Sequence, residues 1–405
     1  MSRQKTILFI TSCIESWGGS EELWAGAAIR LAESGHRVIA GWSEPVIKRT
    51  NHPKWIHLKN SGVEVGGFQI PDYLRVLPDL ILRYTPKYAA DVYDRRNRIL
   101  IRKIRALNPD LVVLAQWGSF DSMEWVELPL IVRSAGCSYV VICQKSSEDI
   151  WPADHFRKRN VGHFLNADRV YFVSEHNRGL TERMLGQRIP QAEVVRNPFM
   201  VATRTPLPWP GTEDGVFRLA CVARMYPLDK GQDILLSVLA HPKWQARPLE
   251  VSFYGNGDRS EGLQGMADLL GLNKVHFPGF INGIEEVWIT HHALILPSRA
   301  EGLPLAQVEA MICGRVPIMT PAGGAAEIMK DGVTGFLAAS ASEQALDEAM
   351  ERAWQSRYEW KEIGLRASES IWEYFPEDPC ANFAEKLCSL ITSSEDPRAI
   401  TNVKS

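Results

Sequence analysis

The sequence predicts an α/β protein made of two doubly wound parallel sheets, and three observations predict it. Short apolar runs alternate with helix-like stretches through both halves of the chain, which is the pattern of parallel strands joined by helical crossovers. The length, 405 residues, exceeds the roughly 250 to 300 residues that a single core fills. Finally, Asn197–Gly215 carries Pro198, Pro206, Pro208 and Pro210 without periodicity, so it reads as a linker between the two alternating halves.

In chain order, Thr6–Ser12, Val38–Trp42, Leu111–Ala115, Tyr139–Cys143 and Val170–Ser174 read as strands of the first half. Leu219–Ala223, Leu249–Tyr254, Ala293–Leu296 and Val316–Met319 read as strands of the second. Apart from Leu249–Tyr254, which contains Glu250 and Ser252, each is a mainly apolar run, as expected for strands covered on both faces. Between Thr6–Ser12 and Val38–Trp42 a helix ends near Gly35-His36. Between Ala293–Leu296 and Val316–Met319 the chain turns at Gly302-Leu303-Pro304, enters a helix over Leu305–Cys313 and stops at Gly314. Pro304 suits a first helical turn, where its missing donor costs nothing. Leu100, Ile101, Ile104 and Leu107 recur at helical spacing among Arg95, Arg96, Arg98, Arg102, Lys103 and Arg105. Such a helix either packs on the sheet with a solvated cationic face or lies on an anionic membrane. The expected domains are 1–200, 201–370, a helical segment at 371–392 and a flexible polar tail at 393–405.

Composition excludes several classes. At 45% hydrophobic and 23% charged residues the chain is an ordinary folded protein without low-complexity tracts. Its seven cysteines are scattered and contain no Cys-x-x-Cys pair, so reduced thiols are expected and neither a metal site nor a disulfide framework is. The first apolar run is too short for a secretory leader, and no stretch reaches about 18 apolar residues. A cytoplasmic location, with peripheral contact at the inner face of a membrane as an option, is therefore expected. The formal net charge of −3 offers no field for a nucleic acid, and no such partner is expected. The first 200 residues carry 27 Lys+Arg against 21 Asp+Glu, the remainder 18 against 27. This modest asymmetry fits solvated charge, or an acidic acceptor on the first half.

Four loops carry chemistry. Glu301 and Glu309 lie eight positions apart around a helix start that follows a strand. Free amides and a positive dipole end there suit a diphosphate, while the carboxylates suit hydroxyl groups. Arg224 and Lys230 follow the strand Leu219–Ala223 and emerge at the carboxyl edge, where open α/β sheets bind ligands. Trp17-Gly18-Gly19-Ser20-Glu21 follows the first strand, and successive glycines let a backbone approach an anion closely. Tyr254-Gly255-Asn256-Gly257 follows Leu249–Phe253 but lacks the third glycine of a dinucleotide fingerprint. A polar and aromatic stretch, Gln144–His155, suits sugar rings and hydroxyls as well as it suits a plain surface loop.

The Glu-x7-Glu block, followed by Gly323-Gly324, Glu327 and Asp331-Gly332, resembles the donor-binding signature of retaining glycosyltransferases of family 4. So do Arg224 with Lys230-Gly231 and the Gly18-Gly19 loop. The resemblance implies the GT-B fold, two doubly wound Rossmann-like domains facing a central cleft, with the segment 371–392 crossing back to the first domain. It implies that the chain transfers a hexose from a UDP- or GDP-sugar to a hydroxyl of a saccharide or lipid-linked acceptor, with retention and with no metal or other cofactor. Catalytic roles fall on Glu301, Arg224 and Lys230. Donor contacts fall on Gly18, Gly19, Gly255, Gly257, Phe280, Gly302, Leu303, Pro304, Leu305 and Glu309, the last holding the ribose. Acceptor or sugar contacts fall on Gln116, Trp117, Lys145 and Trp151. Where family members commonly carry a histidine, this chain has Gln116, which cannot act as a base. A binding protein without catalysis, and a GT-B enzyme of another type such as a sugar-nucleotide epimerase, are the alternatives.

Overall fold

A computed structural model describes residues 3–13, 17–42, 52–69, 86–121, 127–211 and 214–393. The chain divides into two units. One comprises residues up to Val173, Arg178–Pro198 and the chain from Glu377 onward; the other comprises Ser174–Asn177 and Phe199–Pro376. The expected tail lies outside the described residues from 394 on.

The first unit holds β1 (Thr6–Thr11), β2 (Arg37–Trp42), β3 (Glu64–Gln69), β4 (Leu111–Gly118), β5 (Tyr139–Lys145), β6 (Arg169–Phe172) and β7 (Ala192–Val194). They pair in parallel in the order β3-β2-β1-β4-β5-β6-β7. The second unit holds β8 (Phe217–Val222), β9 (Leu249–Tyr254), β10 (Val275–Gly279), β11 (Ala293–Leu296), β12 (Val316–Met319) and β13 (Phe336–Leu337), all parallel, in the order β10-β9-β8-β11-β12-β13. Strand order reverses between β1 and β4 and between β8 and β11, which marks the carboxyl ends of these pairs as the places where such sheets take ligands.

Sequence reading found the nine inner strands and missed β3, β7, β10 and β13, the four edges. Inner strands are buried on both faces and read as unbroken apolar runs, as β11 and β12 do. An edge strand such as Ala192–Val194 is half-buried throughout and leaves no such run.

Two further elements differ from expectation. Beyond Pro198 the proline-rich segment belongs to the second unit. The fully buried guanidinium of Arg315 holds it there, donating to the Pro208 carbonyl at 2.6 Å and to the Trp288 carbonyl at 2.6 Å, while the Leu207 amide donates to the Cys313 carbonyl. The segment 371–392 is two pieces. A single 3₁₀ turn at Ile371–Glu373 stays with the second unit, and a helix begins at Pro379 and runs to Ser393. That helix buries Phe383, Leu387 and Ile391 beside Trp24 and Ala28 in the first unit's core, and Cys380 fills the space left by the missing side chain of Gly26.

The helix Pro86–Leu107 turns Leu100 and Ile104 into the core on one face of the first sheet, while Arg95, Arg98, Arg102 and Arg105 are exposed. Its apolar face is therefore spent on the sheet. No described helix is long and apolar enough to cross a membrane.

Candidate functional site

At the switch point of the second sheet two loops meet. After β8 the chain runs through Arg224 into a short helix, Pro227–Lys230, closed by Gly231 at φ +64°. After β11 it runs through Pro297 to Glu301. A Cβ on Gly231 would overlap the Pro297 carbonyl, so glycine alone lets the loops close on each other. Arg299 fastens them further: its guanidinium forks onto Asp233 at 2.7 and 2.8 Å and donates to the Pro227 carbonyl at 2.7 Å. The amides of Arg299 and Ala300 both donate to the Asp229 carbonyl.

This double fastening brings Lys230 and Glu301 together. Lys230 Nζ lies 2.6 Å from Glu301 Oε1, and Ser298 Oγ donates to the same oxygen at 2.7 Å. Glu301 is only 6% exposed. Both donors reach Oε1, and Oε2 receives none among the described residues. The Glu301 backbone is fixed as well, by Asn177 Nδ2 donating to its carbonyl at 3.3 Å and by Gly323, whose missing Cβ makes room for that same carbonyl. Arg224 lies 3.8 Å from Asp229 and stacks on Tyr226. Its carbonyl accepts a bond from the buried Gln232 side chain at 2.8 Å.

Gly302, Leu303 and Pro304 form the turn that enters the helix Leu305–Ile312, with Pro304 at the N-cap rather than in the first turn. Glu309 is equally buried at 6% exposure and accepts the Met200 amide at 3.0 Å. The sequence presented Glu309 as an open hydroxyl acceptor; in the structure its Oε1 is engaged by the backbone. Burial lifts its carboxyl to about 7; the Met200 amide pulls it down and the nearby Glu285 pushes it up.

On the far side of β8, Gly255 and Gly257 let the loop after β9 lie against the loop after β8. A Cβ on either would overlap the carbonyls of Ala223 or Met225, and the Met225 amide donates to the Asn256 carbonyl. The fold itself thus requires these two glycines. Phe280, just past β10, is 66% exposed.

At the first sheet's switch point the picture inverts. Gly18 has extended backbone, φ −150°, and a Cβ there would meet only Ser20 Oγ at an ordinary 3.5 Å. The fold does not require glycine at this position. The loop around Gly18 and Gly19 is held from both ends: Trp17 stacks on His52 and donates to Glu22 at 2.7 Å, and the buried Glu21 accepts from Trp24 at 3.0 Å and Thr11 at 3.1 Å. Trp117 carries the Lys145 ammonium 4.8 Å from its ring centre, and Trp151 is 63% exposed. Gln116 is different. It is fully buried and donates to the Ser119 carbonyl at 2.7 Å and to Cys143 Sγ, so it packs inside the strand ends.

Sequence reasoning missed Ser298, Asn177, Gln232 and Arg299, the side chains that hold the cations and Glu301 in place. Ser298, three positions before Glu301, was the one with a local signal. Asn177 and Arg299 act across 124 and 66 positions and leave none.

Residues 216–356 match the family model of Glycosyl transferases group 1, a span that contains Arg224, Lys230, Glu301 and Glu309. The chain is 28% identical over 244 residues to a GDP-mannose-dependent alpha-(1-6)-phosphatidylinositol monomannoside mannosyltransferase of Mycolicibacterium smegmatis, covering 54% of this chain and 62% of that one. It is 37% identical over 110 residues to the Vi polysaccharide biosynthesis protein VipC/TviE of Salmonella typhi, covering 25% of this chain and 19% of that one. The chain therefore spans less than two thirds of the length of these relatives. The solved structure of Anabaena Alr3699/HepE in complex with UDP-glucose superposes with a TM-score of 0.71 at 19% identity, over 96% of this chain and all of that one. The fold is thus that of the GT-B class, with two Rossmann-like parallel-sheet halves.

Proposed function

We propose that this chain is a glycosyltransferase that moves a hexose from a nucleotide diphosphate sugar to a hydroxyl of a saccharide or glycolipid, with retention at the anomeric carbon. The observation that carries the reading is the Lys230–Glu301 contact at a switch point flanked by Arg224. A cation beside a carboxylate suits the junction of a diphosphate and a sugar. Lys230 and Arg224 neutralise charge as it grows on the leaving diphosphate, and fixed cations in a closed site do this without reorganising. Glu301 aligns Lys230 through Oε1 and offers Oε2 to a sugar hydroxyl. The helix Leu305–Ile312 directs its first amides, entered through Gly302, Leu303 and Pro304, at the same anion.

Glu309 holds the ribose in this reading by exchanging the Met200 amide for hydroxyls, and Phe280 with the loop of Gly255 and Gly257 frames the base. Gly18 and Gly19 offer backbone amides to an anion, and Trp117, Lys145 and Trp151 receive the acceptor. With Gln116 buried, the leaving phosphate takes the acceptor proton and no protein base is needed. The relatives named as mannosyltransferase and as polysaccharide biosynthesis protein, together with the UDP-glucose complex, support a sugar-nucleotide donor.

Lys230→Ala and Glu301→Ala are each expected to lower transfer by about two to three orders of magnitude while leaving the unfolding midpoint of the chain near the wild-type value. Turnover unchanged in both variants would remove the assignment. The burial of Gln116 favours a second reading, a protein that binds sugar nucleotides without transferring them. Tight binding of UDP- or GDP-sugars with neither hydrolysis nor transfer across a broad acceptor panel would select it.

A further inference from the structure

The loop after β9 contributes a cation that the sequence did not single out. Arg259 stands immediately before the helix Ser260–Leu269, with its guanidinium carbon 4.2 Å from the centre of the Tyr226 ring. Arg224 lies 4.8 Å from the centre of that same ring. Tyr226 belongs to the turn that carries Lys230, whose amide donates to the Tyr226 carbonyl at 2.9 Å. One tyrosine therefore carries two guanidiniums within a turn of the lysine.

Two cations drawn to one ring repel each other, and at an exposed site the ring returns only a weak attraction. Arg224 has Asp229 beside it. Arg259 is exposed and has no ion pair among the described residues. Its place is fixed by backbone rather than by charge, because Gly255 and Gly257 press the β9 loop onto the β8 loop and the Met225 amide bonds to the Asn256 carbonyl. The arrangement holds positive charge in advance of an anion, and a guanidinium fork matches phosphate oxygens two at a time.

We infer that Arg259, supported on Tyr226, is a third cation for the phosphates of the donor, an assignment that rests on the donor-site reading given above. A purely structural Arg259 would cover the tyrosine and leave ligand affinity alone. In the donor role it binds the phosphates directly and leaves the base and ribose untouched.

The test uses the full chain and titrates UDP, GDP, uridine and guanosine by calorimetry or competition, for wild type, Lys230→Ala, Arg259→Ala, Arg259→Lys and Tyr226→Leu. Arg259→Ala is expected to weaken the preferred nucleoside diphosphate about tenfold, to leave the nucleoside unchanged and to reduce the salt dependence of binding. Arg259→Lys recovers part of the loss, keeping the charge without the fork. Tyr226→Leu moves diphosphate affinity in the same direction as Arg259→Ala. A folded Arg259→Ala protein that binds the diphosphate like wild type, or that loses diphosphate and nucleoside by one factor, overturns the inference alone, provided Lys230→Ala still weakens the diphosphate. Wild-type protein that binds no nucleoside diphosphate overturns this inference together with the donor site.

Discussion

Glu309 is a buried carboxyl whose titration reports its surroundings. Its folded value, about 7, lies above the ordinary 4.5, so the folded chain holds a proton that the unfolded chain releases. The stability this contributes is complete below pH 4.5 and is lost as pH rises through about 7. Glu309→Gln keeps an oxygen for the Met200 amide and cannot ionise. Denaturant midpoints measured between about pH 5 and 8 should fall for wild type relative to the variant; parallel curves would contradict the assignment. Nucleotide affinity has the opposite sign, because an ionised carboxylate is the better hydroxyl acceptor. Wild type should bind its nucleotide more tightly as pH rises through about 7, and Glu309→Gln should flatten that rise. At this scale the sequence made Lys230, Arg224 and Glu301 legible because their residue types and spacing carry the signal. It did not reveal that Gln116 is buried, since nothing local tells a strand-end amide that points inward from one that points out.

Gly231 and Arg315 set the geometry at the scale of elements. Gly231 combines φ +64° with a missing Cβ that makes way for the Pro297 carbonyl. Gly231→Ala is therefore expected to destabilise the chain by more than about 2 kcal/mol and to separate Lys230 from Glu301. A variant with wild-type stability and wild-type donor affinity would show that the loops need not close. Arg315 is a buried cation that bonds backbone carbonyls and lies over the Trp209 ring, and burial lowers its pKa to about 10. Arg315→Ala leaves a cavity and orphans those carbonyls, with an expected cost of about 3 kcal/mol or more by denaturant unfolding. The inner strands were legible in the sequence because burial on both faces writes a continuous apolar run. The edges and the docking of Leu207 and Pro208 were not, because a half-exposed strand and a carbonyl held by a distant arginine write nothing local.

Taken as a whole molecule, the chain leaves the first unit at Pro198 and returns to it at Glu377, so the first unit's core is completed by the end of the sequence. Phe383 and Leu387 are fully buried beside Trp24, and Phe383 meets Tyr171 edge to face at 5.0 Å. A chain ending at Pro376 should lose the first unit's cooperative unfolding and become prone to aggregate, whereas one ending at Ser393 should unfold like the full chain. Equal behaviour of the two truncations would show that the helix is dispensable. The central claim concerns the second unit, whose switch point gathers Arg224, Lys230 and Glu301 for a nucleotide diphosphate sugar. The direct measurement is a calorimetric titration of the full chain with UDP-glucose and GDP-mannose. The expected result is one binding site per chain for at least one of them, weakened at least tenfold in Lys230→Ala and in Glu301→Ala. No binding of either sugar nucleotide, or binding equally tight in both variants, would contradict it.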